Sequence, residues 1–302
     1  MSVRIEISNL SKCFKKDKKP FYPVKEVSIS IEPGEFFGLV GHNGAGKTTL
    51  LKILATLIEP SEGEFQIAGH THKERHQIRN HIGLLTANER SFYWRLTGRQ
   101  NLDFFATLIG LHGAALKKRV QEVIDLMEIS DFADQRFDQY SAGMKQQASI
   151  ARLMLHKPKL LLLDEPTRSL DVEATQRTEK ILTRLREEEN ITMLMVTHKA
   201  FLARQLCNRI GRMENGKLVE ITEIRKSTST GTKHRVLTSL LSLQEQGLLN
   251  YMAEISAIVP HDADNFAIIV NESSGALHAV LAKCIALGLP INSCEPLEGD
   301  LT

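Results

Sequence analysis

Gly41-His42-Asn43-Gly44-Ala45-Gly46-Lys47-Thr48 carries the spacing G-x-x-x-x-G-K-[ST]. Glycines let a backbone curl until successive N–H groups point inward at phosphate oxygens. The start of a following helix adds partial positive charge. In such a loop Lys47 reaches the β- and γ-phosphates and the Thr48 hydroxyl sits on Mg²⁺. Thr49, next along, belongs to the same phosphate-facing set. A second group with chemistry is Leu160-Leu161-Leu162-Leu163-Asp164-Glu165. There Asp164 is placed to hold Mg²⁺ and Glu165 to polarise the water that attacks a γ-phosphate.

Both groups need elements that aim them. A phosphate loop works between a strand and a helix. Residues 36–40 are apolar and residues 48–58 have helical spacing. The unbroken apolar run 160–163 suits a strand buried on both faces. It delivers its carboxylates at the C-terminal end, where open α/β sheets bind ligands. Further strands are predicted at 3–7, 27–31, 64–68, 82–85 and 191–196. A hairpin spans 209–219 and turns at Glu214-Asn215-Gly216. Lys12 to Pro20 reads as a basic loop around Phe14. A short helix is expected at 74–81, and the period is helical at 101–111, 116–127, 144–155 and 172–188.

The chain has 302 residues, room for two domains, and 42% apolar and 25% charged residues are ordinary for a globular protein. A net charge of +2 gives no argument for nucleic-acid binding. No run of 18 apolar residues offers a membrane span, and the N-terminus lacks the apolar centre of a signal peptide. Cys13, Cys207, Cys284 and Cys294 are scattered and read as reduced thiols in a cytosolic protein. Residues 222–232 have a linker composition. Beyond them the expected order is strand 234–239, helix 240–252, strands 255–260 and 266–270, helix 274–288, strand 291–295. This is the ferredoxin-like β-α-β-β-α-β plan.

Ser141-Ala142-Gly143-Met144-Lys145-Gln146 resembles the signature of ABC transporter ATPases, usually written LSGGQ. Asp164-Glu165-Pro166-Thr167-Arg168-Ser169-Leu170-Asp171 resembles their Walker B and D-loop, and Thr197-His198 their H-loop. The resemblance covers residues 3–220 with the motifs in the family's order. It implies an α/β P-loop NTPase of ABC type, with a mixed sheet core and an α-helical subdomain at about 97–155. The domains are then 1–221 for the ATPase, 222–232 for the linker and 233–302 for a small α+β unit, ferredoxin-like, for dimerisation or regulation. The appended domain and the string from Asn88 to Thr97 are similar to exporters of drugs, polysaccharides or lipids.

The resemblance also assigns roles. ATP and Mg²⁺ are held between two copies of the chain. The phosphate loop of one faces Ser141, Ala142, Gly143 and Met144 of the other. Ser141 is equally a helix N-cap, and both uses share one geometry. His198 contacts the γ-phosphate, and Asp171 touches the partner's phosphate loop while capping its own helix. Phe14 fits the place of the aromatic that stacks on adenine, with Tyr22 as the rival. Asn88 stands where the family has Gln and offers an amide oxygen to Mg²⁺ or water. Ala142 and Met144 replace the commoner Gly and Gln without removing a charge. The implied partners are a second copy and a separate membrane permease, with no nucleic acid. The implied location is cytoplasmic, on the inner face of the membrane through that permease. The alternative is a soluble ABC-type ATPase acting on ribosome or DNA. Ribosome-acting relatives carry two such modules per chain, and DNA-repair relatives carry long coiled coils or zinc motifs, none of which occurs here. His70, His72, His76 and His81 cluster, with His72 and His76 on one helical face. A solvated helix outweighs a metal site there. Lys15-Lys16 and Lys18-Lys19 read as a solvated loop before an anionic-lipid contact.

Overall fold

The computed structural model describes residues 2–16, 19–86, 91–224, 233–239, 249, 255–260, 265–271 and 276–297. Asn88 and most of the 222–232 and 240–252 segments lie outside them. The chain begins with β1 (Ile5–Lys16), β2 (Lys19–Ile31), β3 (Phe36–Val40), α1 (Lys47–Leu54), β4 (Glu62–Ile67), β5 (His70–Thr71), α2 (Arg75–Arg79) and β6 (Ile82–Leu85). Three helices follow: α3 (Gly98–Leu108), α4 (Gly113–Leu126) and α5 (Ala142–Met154). Then come β7 (Leu160–Asp164), α6 (Val172–Glu187), β8 (Thr192–Thr197), α7 (Ala200–Leu206), β9 (Arg209–Glu214) and β10 (Lys217–Glu223). The last elements are β11 (Lys233–Ser239), β12 (Ile255–Pro260), β13 (Asn265–Asn271), α8 (Ala276–Ala286) and β14 (Ile291–Leu297).

The six-stranded central sheet has the order β10-β9-β3-β8-β7-β6. Its inner neighbours are parallel and only β10 runs antiparallel. Every residue of β3, β7 and β8 is buried, as covering on both faces requires. The hairpin β9–β10 turns at Asn215 and Gly216, whose φ values of +48° and +82° suit a type I′ turn. A second, antiparallel sheet, β2-β1-β4-β5, packs Ile5, Ile7, Val27, Ile29 and Phe65 into a core shared with α1. Here the structure corrects the sequence: Lys12 to Lys16 and Lys19 to Pro20 are strand and not loop, with residues 17 and 18 outside the described residues. There β1 and β2 pair antiparallel, Phe14 with Phe21 and Lys15 with Pro20. Alternation is broken by register shifts between Ile7 and Phe14, which hid the strand from a period-two search.

The helical stretch is anchored where it begins. Thr97 caps α3, accepting from Gln100 N while the Gln100 side chain accepts from Thr97 N. Fully buried Asn101 accepts from Tyr93 N at 2.8 Å and donates to the carbonyls of Tyr93 and Thr97. Phe92 stacks on Phe137 at 4.4 Å. The Arg152 guanidinium of α5 lies over the Phe92 and Phe105 rings. These contacts hold the approach to α3 against the helix that follows the signature.

The chain divides into two compact units, residues 1–198 with 206–224, and residues 199–205 with 225–302. β10 reaches Glu223, so part of the expected linker is strand. In the second unit the antiparallel order β12-β13-β11-β14 is that of a ferredoxin-like sheet. Val236, Ile255, Ile268, Val270, Val280 and Cys284 form its core. α7 was not anticipated from the sequence. His72 lies in the turn before α2 and not on a helical face shared with His76. His70 instead pairs with Glu74 and stacks on His81. Among the described residues no His, Cys, Asp or Glu group is arranged to hold a metal.

One half-buried titratable group tests this packing. His156, following α5, has Nε2 2.9 Å from the Ile82 carbonyl. Burial pulls its pKa below the ordinary 6.5; the Ile82 bond opposes and the Arg119 charge adds to the fall. The unfolded chain therefore takes up this proton more readily, and stability is lost as pH falls below that value. The urea midpoint should drop more steeply between about pH 7.5 and about pH 5.5 in the wild type than in His156→Gln. Equal slopes would remove His156 from the acid response.

Candidate active site

Three strand ends meet at the site. In the order β3-β8-β7, Val40 pairs in register with Thr197, and Val196 with Asp164. The phosphate loop, the Thr197-His198 step and the Asp164-Glu165 step therefore leave the sheet side by side. A cleft of about 450 Å³ opens there. It is lined by Asn43, Gly44, Ala45, Gly46, Lys47, Thr48 and Thr49, by Asp164 and Glu165, and by His198. Phe21, Pro23 and Arg168 complete the wall.

The loop is moulded by its neighbours. Gly46 has φ +104°, and a Cβ there would lie 1.7 Å from the Pro23 carbonyl oxygen. No other residue fits between β2 and the loop. Gly216 N donates to Ala45 O at 3.0 Å, so the β9–β10 turn props the loop from the other side. α1 starts at Gly46 without a side-chain cap, which leaves its first N–H groups for an anion. Lys47 Nζ donates to the carbonyls of Gly41 at 2.7 Å and His42 at 3.0 Å. Burial lowers its pKa, against the pull of Glu165 and Asp164.

Thr48 Oγ1 donates to Asp164 Oδ1 at 3.1 Å. Burial raises the Asp164 pKa, and the Thr48 bond opposes it. A hydroxyl and a carboxylate oxygen side by side are hard donors of the kind Mg²⁺ takes. Glu165, at φ +50°, is gripped at both oxygens. Oε1 accepts from His198 N at 2.9 Å and lies 2.7 Å from His198 Nδ1. Oε2 accepts from Thr197 Oγ1 at 3.0 Å and keeps a lone pair for a water proton.

The signature residues stand elsewhere. Ser141 caps α5, accepting from Met144 N at 3.2 Å, and none of Ser141, Ala142, Gly143 and Met144 lines the cleft. A Cβ on Gly143 would lie 2.7 Å from the Ala174 Cβ, so the first turns of α5 and α6 touch. Asp171 caps α6 by accepting from Ala174 N at 2.8 Å. Gln146 Nε2 donates to Pro166 O at 2.6 Å, tying the signature helix to the turn after Glu165.

The sequence matches the family described as ABC transporter over residues 24–168. It is 33% identical over 216 residues to the ABC transporter ATP-binding protein NatA of Bacillus subtilis, covering 71% of this chain and 87% of NatA. The chain belongs to the ATP-binding subunits of ABC transporters. It is 31% identical over 280 residues to the methionine import ATP-binding protein MetN of Corynebacterium diphtheriae, covering 90% of this chain and 81% of that one. The ABC cassette MJ0796, solved as a dimer in a post-hydrolysis state bound to ADP and Pi, aligns at TM-score 0.66 and 28% identity. That alignment covers 73% of this chain and 99% of MJ0796. This ABC ATPase hydrolyses ATP in transport, and the cleft is where its phosphate loop and acidic pair meet.

Two wall residues were not read from the sequence. Phe21, and not Phe14 or Tyr22, lines the cleft. Phe14 is its register partner across the hairpin and carries the Lys12 ammonium 5.1 Å from its ring centre. Only the hairpin pairing distinguishes the two phenylalanines. Arg168 was passed over as one letter of the D-loop. Phe21→Ala should weaken ATP binding roughly tenfold, as loss of a base-stacking ring does, with Phe14→Ala within about twofold of wild type. Fluorescence titration with a labelled nucleotide checks this, and the reverse ranking would return the stacking role to Phe14.

Proposed function

We propose that this ABC ATPase is the motor of a two-part transporter. Two copies close around two Mg-ATP, and the closure drives a separate membrane permease. The observation that carries this is the separation of parts within one chain. Lys47, Thr48, Asp164, Glu165 and His198 share a cleft, while the Ser141 helix end faces none of it. An N-capped helix start with free N–H donors suits an anion, and a second copy supplies that anion. The ABC cassette MJ0796, solved as a dimer bound to ADP and Pi, supports the pairing of two copies. Among the described residues no helix is long and apolar enough to cross a membrane, in keeping with a permease on another chain.

In this reading the glycine loop and Lys47 bind the β- and γ-phosphates. Thr48 and Asp164 hold Mg²⁺, which neutralises charge on the phosphate oxygens when bound. Glu165 orients the attacking water through its free lone pair and takes its proton. His198 fixes Glu165 and reaches toward the γ-phosphate. Asp171 reaches the partner's loop. Asn88 takes part at the metal edge, and its place is outside the described residues. Localisation on the inner membrane face follows from the permease.

The exporter direction rests on the string from Asn88 to Thr97 and on the appended domain. Relatives with a printed direction are named for methionine import. The proposal is therefore a transporter motor whose direction is set by its permease, and substrate flux in vesicles holding both subunits decides it.

Glu165→Gln should retain ATP binding, accumulate as a dimer and lose roughly 10²–10⁴-fold in turnover. Lys47→Ala should lose nucleotide affinity itself. Chromatography with Mg-ATP and a phosphate-release assay measure both. A Glu165→Gln protein with wild-type turnover would take the base role from this residue.

A further inference from the structure

Arg168 is a cation in the cleft wall that the loop, the acidic pair and the histidine leave unused. Its position is set by the backbone. Arg168 N donates to Glu165 O at 3.0 Å, closing a tight turn directly after the base. Left-handed residues bracket that turn, Glu165 at φ +50° and Ser169 at φ +60°. Pro166 O is fixed by Gln146, and Thr167 is buried. Arg168 thereby leaves the backbone directly after Glu165 and lines the cleft with it.

Two carboxylates lie nearby, yet neither takes the guanidinium. Asp164 Oδ1 accepts from Thr48, and Glu165 accepts from His198 and Thr197. Among the described residues Arg168 makes no side-chain hydrogen bond or ion pair. It is exposed to the cleft. A guanidinium presents a planar fork of donors, stays charged at any working pH and pairs two-fold with phosphate oxygens.

We infer that Arg168 is a second cationic contact for the terminal phosphoryl group, working with Lys47 from the same chain, and that it sets the preference for triphosphate over diphosphate. The inference rests on the nucleotide reading of the cleft. Lys47 is spread along the loop and serves two phosphates, so its removal costs both nucleotides. Arg168, one turn from the water-orienting carboxylate, meets only the last phosphate.

The test uses the full chain carrying Ser141→Glu, which sets a carboxylate against the phosphates that a partner's helix end would meet. Dissociation constants are measured for ADP and for a non-hydrolysable ATP analogue, each with Mg²⁺. Arg168→Ala and Arg168→Gln should weaken the triphosphate on the order of tenfold, as loss of a charge-assisted bond does, with ADP moving less than about twofold. Arg168→Lys should recover part of the loss. Equal losses for both nucleotides, or no change in either, would overturn the assignment. If the parent protein bound neither nucleotide, the reading of the cleft itself would fail instead.

Discussion

Burial of Lys47 is the constraint on which the site depends. An ammonium removed from water must be given oxygen partners, and the loop supplies the carbonyls of Gly41 and His42. Burial still lowers its pKa. The same burial raises the pKa of Asp164 across the cleft. The two groups are held in a setting that penalises each charge alone. A phosphate anion beside Lys47 and a cation beside Asp164 relieve both penalties together. A ligand that carries both an anion for Lys47 and a cation for Asp164 suits this pair, as the proposed magnesium nucleotide does.

The framework keeps those charges from relaxing away. β3, β8 and β7 are buried along their whole length, so register among them is fixed by packing on both faces. The loop cannot drift outward because Pro23 lies against Gly46, nor inward because the Asn215–Gly216 turn holds Ala45. The start of the signature helix is tied to this frame by the Gln146 amide on Pro166 and by the contact of Gly143 with Ala174, while Leu153 nearer its end packs on Gly83 of β6. Displacing the α5 start therefore shifts the turn after Glu165 and the cap at Asp171 together.

Much of this was legible because it is local. Four successive leucines before Asp164 announce a buried strand and its carboxylate end. The loop spacing gives the strand–loop–helix step, and Asn215-Gly216 gives the hairpin. Ser141 and Asp171 read correctly as helix caps. What stayed hidden is pairwise or irregular. The β1–β2 hairpin is interrupted by register shifts and filled with lysines, so neither period nor composition marks it. That Phe21 lines the cleft while its partner Phe14 does not is a matter of cross-strand register. Arg168 is unremarkable as a letter and becomes notable only when its neighbours' carboxylates prove to be engaged elsewhere.

Charge balance supports the proposal that two chains act together. Lys47 and Arg168 face Asp164 and Glu165 in the same cleft, and these four formal charges cancel. A nucleoside triphosphate remains an anion even with its metal. The surplus negative charge must be met by dipoles, of which the uncapped start of α1 provides one set. The second set available in this fold is the start of α5, and within its own chain it does not border the cleft. Hydrolysis builds charge at the terminal phosphoryl oxygens, where fixed donors act most strongly once water is excluded. A partner bringing its α5 over that cleft would supply donors and exclude water in one motion. On the proposed reading, a single copy binds and the fastest chemistry waits for a second.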